Sequence, residues 1–168
     1  MSRTSDVVAF VALGANLGDG ATTLQAAALA IGALPLTHVT ARSSLYRTAP
    51  QQASGPDYWN AVIQVHTAQS PEALLDALLR IESDMGRKRP GGEINAPRTL
   101  DLDLLRYGSL QRQTERLTLP HPRMAQRAFV LAPLAEIWPE GMLNGMSIAE
   151  LAARRIAEGQ AIERLGPF

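Results

Sequence analysis

Residues 99–104 alternate polar and apolar side chains, Thr99-Leu100-Asp101-Leu102-Asp103-Leu104, behind Arg98 and ahead of Leu105. Side chains two apart share one face of a strand, so a two-residue period predicts a β-strand with a carboxylate face; a helix would scatter these carboxylates around its axis. Asp101 and Asp103 therefore point the same way. Two strand positions lie roughly 6.6 Å apart, where like charges repel by about 0.6 kcal/mol in bulk water and about 2.5 kcal/mol at an effective dielectric near 20. In a cleft such a pair needs positive charge. Carboxylate oxygens suit Mg²⁺, and arginine is the residue type that grips phosphate with a planar fork, so these residues read as a magnesium and phosphate site. Taken alone, they read equally as a half-buried strand whose solvated face carries two aspartates.

The flanking pattern sets the rest of the fold. Residues 7–13 form an apolar run expected to be a buried strand, and a glycine-rich turn over residues 14–18 leads into an alanine-rich helix over about residues 20–34, ended by Pro35. Residues 39–46 and 58–66 read as two further strands, separated by a loop containing Pro50, Gly55 and Pro56. Ser70, Pro71 and Glu72 form a helix start, Leu74, Leu75, Leu78 and Ile81 its buried stripe, and Gly86 its stop. The Asp101 strand follows, then an irregular stretch through Leu119-Pro120-His121-Pro122 and short helices around Phe129 and Ile148. Strand, helix, strand, strand, helix, strand is the order of an α+β, ferredoxin-like split βαβ sandwich. It predicts an antiparallel sheet with helices packed on one face and the other face open for a ligand.

With 168 residues, 46% of them hydrophobic, the chain is expected to form a single domain over residues 1–168. There is no cysteine, which removes disulfides and thiolate metal sites. The first apolar run is too short to span a membrane and leads into a turn, so cytoplasmic localisation is expected, with no membrane partner. Sixteen basic and sixteen acidic side chains cancel, which argues against a nucleic-acid surface. The charge is uneven, however: residues 87–127 hold nine Arg or Lys against four Asp or Glu, and this basic block surrounds the aspartate strand.

The turn at residues 14–18 lacks the spacing of a nucleotide-binding glycine loop and reads as structural. Any nucleotide phosphates would have to be held by side chains and metal, for which Arg87, Lys88, Arg89, Arg98, Arg116, Arg127 and His121 suffice in number. In the strand at residues 58–66, Tyr58 and Asn60 share a face, while Trp59, Ala61, Ile63 and Val65 form the core face. An aromatic ring beside a carboxamide can stack on a flat heterocycle and read its edge. The segment 85–97, with three consecutive cations followed by Pro90-Gly91-Gly92, reads either as a lid or as a plain flexible loop.

Five blocks, in order and spacing, resemble the 6-hydroxymethyl-7,8-dihydropterin pyrophosphokinase family. They are Val11-Ala12-Leu13-Gly14-Ala15-Asn16-Leu17-Gly18, Ser44-Leu45-Tyr46-Arg47-Thr48-Ala49-Pro50, Pro56-Asp57-Tyr58-Trp59-Asn60-Ala61, Pro97-Arg98-Thr99-Leu100-Asp101-Leu102-Asp103, and Leu119-Pro120-His121 through Phe129. The resemblance covers about residues 7–138. It implies transfer of the terminal diphosphate of ATP to the hydroxymethyl group of a reduced pterin, giving AMP and the pterin diphosphate for folate synthesis. Asp101 and Asp103 would hold two Mg²⁺ ions, and Arg87 and Arg98 would act on the phosphates. Glu82, Arg89, Arg116, Thr118, His121 and Arg127 would line the ATP site, and Thr48, Tyr58, Asn60 and Phe129 the pterin site. Ile94-Asn95 replaces a tryptophan that some family members carry in the lid, and Ala49 stands where a second proline is common. The expected partners are these two small molecules, and the expected state is a monomer. The rivals are a ferredoxin-like binding module without chemistry and a kinase that moves one phosphate, which would release ADP in place of AMP.

Overall fold

The computed structural model describes residues 6–15, 20–48, 57–86 and 100–168. In chain order these form β1 (Val7–Ala15), α1 (Gly20–Gly32), β2 (Thr37–Arg42), β3 (Leu45–Thr48), β4 (Tyr58–Thr67), α2 (Pro71–Gly86), β5 (Asp101–Tyr107), β6 (Arg112–Gln113), β7 (Thr118–Leu119), a 3₁₀ turn (Met124–Gln126), α3 (Ala128–Ile137), β8 (Met142–Leu143), β9 (Met146–Ser147), α4 (Ile148–Ala157) and β10 (Glu163–Gly166).

The main sheet is antiparallel and runs β10-β3-β4-β1-β5, with β2 also paired to β4. β1 runs inside the sheet, between β4 and β5, with apolar side chains on both faces: Ala9, Val11 and Leu13 point into one core, and Phe10 and Ala12 into another. The first core is covered by α1 and α2, the two helices of the split βαβ repeat. Leu24 and Ile31 from α1 and Leu74 and Leu78 from α2 are fully buried there. α2 begins as expected, with the Ser70 hydroxyl accepting from the Ala73 N–H at 3.1 Å and Pro71 in the first turn. Trp59 belongs to this core side and packs against the start of α1, where a Cβ on Gly20 would lie 2.0 Å from the indole.

The opposite face is shared. α3 and α4 lie over one end of it, burying Leu131, Leu134, Ile148 and Leu151 against Phe10, Val62 and Leu105. Arg106, Trp138 and Phe10 stack there, with the guanidinium 4.8 Å from the indole and the two rings 5.1 Å apart. α4 is entered through an N-cap: the Ser147 hydroxyl accepts from the Glu150 N–H at 3.1 Å. Among the described residues, the other end of this face is left uncovered.

The strand expected over residues 39–46 is two strands. The Ser43 hydroxyl accepts from the Val62 N–H at 2.9 Å, taking the place of a ladder carbonyl, while Ser44 is drawn off the ladder by Glu136 of α3. Both Ser44 groups donate to that carboxylate, the N–H at 2.9 Å and the hydroxyl at 2.7 Å. The hairpins β6-β7 and β8-β9 and the edge strand β10 are additions that local sequence pattern did not mark.

Candidate active site

Sheet register assembles the open end of the second face. Gly14 of β1 lies between Asn60 of β4 and Asp101 of β5, and in the next row Ala12 lies between Val62 and Asp103. All six side-chain positions share a face, so the carboxylates and the carboxamide are brought to one floor by strand pairing alone. Small residues at Ala12 and Gly14 keep that floor low, and a Cβ at Gly14 would meet Asn60 Oδ1 at 3.4 Å.

One hollow opens on this floor, and a second at the free edge of β5, where Leu102 and Leu104 of the opposite face join its lining. The larger, about 710 Å³, is lined by Gly14, Thr48, Tyr58, Asn60, Asp101, Asp103, Arg127 and Phe129, and by residues 158–162. Asn60 is buried, and its Nδ2 donates to the Thr48 hydroxyl at 3.0 Å, which fixes the carboxamide beside Tyr58. Arg127 precedes α3 and Phe129 is its second residue; the guanidinium lies 5.6 Å from the Phe129 ring. The smaller hollow, about 340 Å³, includes Glu82, Asp103, Arg116, Thr118 and His121 in its lining. Asp103 borders both.

His121 Nε2 stands 3.9 Å from Asp103 Oδ1, while Nδ1 accepts the Arg123 N–H at 3.1 Å, which assigns the ring proton to Nε2. Burial holds the imidazole below its usual value; Asp103 opposes that shift, and Arg127 and Arg123 add to it. The Leu119–Pro120 peptide preceding it is cis. Glu82 is buried, and its carboxylate accepts the Leu102 N–H at 2.6 Å, tying α2 to β5 between the two aspartates. Arg116 pairs with Asp76 of α2 at the surface, so its guanidinium is engaged at the rim of the smaller hollow.

Thr48, Tyr58, Asn60, Phe129, Asp101, Asp103 and Arg127 thus converge on the larger hollow, and Glu82, Arg116, Thr118 and His121 on the smaller. Arg127, expected among the nucleotide ligands, stands beside Phe129 in the larger one. Arg87, Arg89 and Arg98, with Lys88 and residues 90–97 of the expected lid, lie outside the described residues, while Met85 and Gly86 end α2. Sequence reasoning missed the wall at residues 158–162; its one local signal is Gly159, placed to stop the amphipathic helix α4 and turn the chain back.

No group of three or more His, Cys, Asp or Glu side chains suited to a metal occurs among the described residues. Two carboxylates on one face are still a sufficient protein contribution for Mg²⁺, which keeps several waters and takes its remaining ligands from phosphate oxygens. No helix among the described residues is long and apolar enough to cross a membrane.

Comparison with known proteins finds similar sequences and folds. Residues 10–139 match the family described as 7,8-dihydro-6-hydroxymethylpterin-pyrophosphokinase (HPPK). The 2-amino-4-hydroxy-6-hydroxymethyldihydropteridine pyrophosphokinase of Haemophilus influenzae is 42% identical over 160 residues, covering 94% of this chain and 98% of its own. The protein of the same name from Pseudomonas aeruginosa is 43% identical over 159 residues, covering 93% and 95% respectively. In fold, the chain is similar to the Plasmodium falciparum HPPK-DHPS solved with pterin and p-hydroxybenzoate, at a TM-score of 0.70 and 15% identity. That alignment covers 91% of this chain and 44% of the other, so the chain spans under half the length of that structure.

Proposed function

The chain belongs to the 7,8-dihydro-6-hydroxymethylpterin-pyrophosphokinase family, and we propose on that premise that it transfers diphosphate from ATP to 6-hydroxymethyl-7,8-dihydropterin in folate biosynthesis. The observation that carries this reading is the position of Asp103 on the border of two hollows, with Asp101 one pleat away. A reaction between two bound molecules needs its exchanging group at such a border. The larger hollow offers Tyr58, Phe129 and the Asn60 carboxamide to a flat heterocycle. The smaller, with Thr118, His121, Arg116 and Glu82, is assigned to ATP.

In the reaction the hydroxymethyl oxygen attacks the β-phosphorus of ATP, and the bond from that phosphorus to the oxygen bridging the α-phosphate breaks. AMP leaves, and the hydroxyl proton passes to solvent. Such chemistry depends on alignment and charge neutralisation more than on a strong base. Asp101 and Asp103 would hold two Mg²⁺ ions, which would supply positive charge to the phosphate oxygens. Arg127 adds a cation beside the larger hollow, and Arg87, Arg89 and Arg98 are assigned to the phosphates from the sequence resemblance. The neutral His121, with its proton on Nε2, is suited to donate a hydrogen bond to a phosphate oxygen. The whole chain is read as one monomeric, cytoplasmic domain that acts on small molecules and not on nucleic acid.

Incubation of the purified chain with ATP, Mg²⁺ and 6-hydroxymethyl-7,8-dihydropterin, followed by nucleotide analysis, is expected to give AMP and the pterin diphosphate in equal amounts, and neither without Mg²⁺. ADP as the product would point to a one-phosphate kinase. Binding of pterin without nucleotide consumption would point to a module without chemistry.

A further inference from the structure

The wall that sequence reasoning missed is built as a strap. At the end of α4 the Glu158 N–H donates to the Arg154 carbonyl at 3.0 Å, and Gly159 takes φ +111°, a left-handed conformation open to glycine and strained for other residues. The chain reverses there and runs through residues 160–162 into β10, whose Glu163 faces Arg47 of β3 across the ladder and pairs with it at 2.6 Å. All five residues 158–162 line the larger hollow, yet they lie beyond residues 10–139 matched by the family.

Gln160 is the one strap residue with side-chain bonds to the opposite wall. Its Oε1 accepts the Ala128 N–H at 2.8 Å and its Nε2 donates to the Gln126 carbonyl at 2.9 Å, so one carboxamide grips the backbone on both sides of Arg127. Arg127 occupies the N-cap position of α3 but makes no side-chain cap bond. The first helical N–H of α3 is therefore satisfied by a residue 32 positions away, at the turn that carries Arg127 and Phe129 into the hollow.

We propose that Gln160 is a positioning residue for pterin binding, holding the Arg127 to Phe129 turn at the distance from Tyr58 that a flat ring requires, with the strap it belongs to closing that side of the site. This rests on the pterin reading above. Without the amide, α3 loses its cap and the turn gains freedom that the ligand must then remove, which weakens binding while leaving the reacting groups in place.

The test is Gln160→Ala, read by pterin affinity without ATP, by kcat at saturation and by hydrogen exchange at the Ala128 amide. Expected are an affinity lowered about tenfold, on the scale of two lost neutral hydrogen bonds, kcat within about twofold, and faster exchange at Ala128. A merely structural role would lower the amount of active protein and leave pterin affinity unchanged. Affinity within about twofold of wild type, or exchange at Ala128 no faster in the variant, overturns the proposal. Should the variant fail to fold, wild-type protein still decides: an Ala128 amide exchanging at the rate of an uncapped first-turn amide overturns the clasp, and a protected one supports it. Wild-type protein that releases no AMP brings down the function proposed above together with this inference. An unchanged variant beside active wild type brings down this inference alone.

Discussion

Asp101 and Asp103 share a face of β5 and pair in register with Gly14 and Ala12 of β1, which present a hydrogen and a methyl group beside them. Replacing either by Asn keeps its volume and removes its charge. Asp101→Asn or Asp103→Asn is expected to lower turnover at least about 100-fold, a loss on the scale of metal-borne charge stabilisation, with the thermal midpoint unchanged or slightly raised. Turnover by nucleotide analysis and melting by circular dichroism check the two halves; a variant with more than a tenth of wild-type turnover would remove the metal role. The same pair is where sequence was most informative. Alternation over residues 99–104 carries both the secondary structure and the direction of the side chains, so Asp101 and Asp103 were readable on their face before any fold was known, as were Tyr58 and Asn60 from the apolar period of residues 59–65. Glu82 was not readable in this way. Its carboxylate is engaged by the Leu102 N–H, a bond between residues 20 positions apart that no local pattern announces.

Among the elements, the β2-β3 break depends on one carboxylate from a distant helix. Glu136 accepts from the Ser44 N–H and hydroxyl and from the Tyr46 hydroxyl, and Arg164 of β10 lies 3.4 Å away. Burial alone would raise its pKa, but the Ser44 bonds, Tyr46 and Arg164 together hold it below the usual 4.5. Conversely, burial and Glu136 push the Tyr46 hydroxyl up to about 12. A carboxyl whose pKa falls on folding stabilises the folded state above its unfolded value and loses that contribution as pH drops through the folded one. Glu136→Gln is therefore expected to cost about 1 kcal/mol at neutral pH after solvent screening, or roughly 2–4 °C in a chain of this size. The gap should begin to narrow as pH falls below about 4.5 and close once pH has passed below the lowered folded value. Thermal melts of both proteins at pH 7 and at a descending series of pH values below 4.5 measure it, and a gap that does not narrow along that series would assign the loss to packing instead. Sequence read residues 39–46 as one strand because hydrophobic pattern sees the ladder and not the long-range acceptor that interrupts it.

For the molecule as a whole, the sheet has a core on each side, and the two tryptophans report them separately, Trp59 from the α1 and α2 side and Trp138 from the α3 and α4 side. The first core was legible, since the helices that build it alternate with the strands they cover. The second was not, because α3 and α4 follow the last central strand and their docking depends on which faces the sheet leaves uncovered. Since β1, β4 and β5 contribute to both cores, the two sides should unfold together. Trp59→Phe and Trp138→Phe, each leaving one indole, are expected to give the same denaturant midpoint by fluorescence once each is compared with its own circular dichroism curve. Two separated midpoints would divide the chain into independent units. This arrangement also decides where heritable change is permitted. A residue flanked by oil on both sides has no direction in which to hide a polar error, so positions 10–13 are held to a very small alphabet.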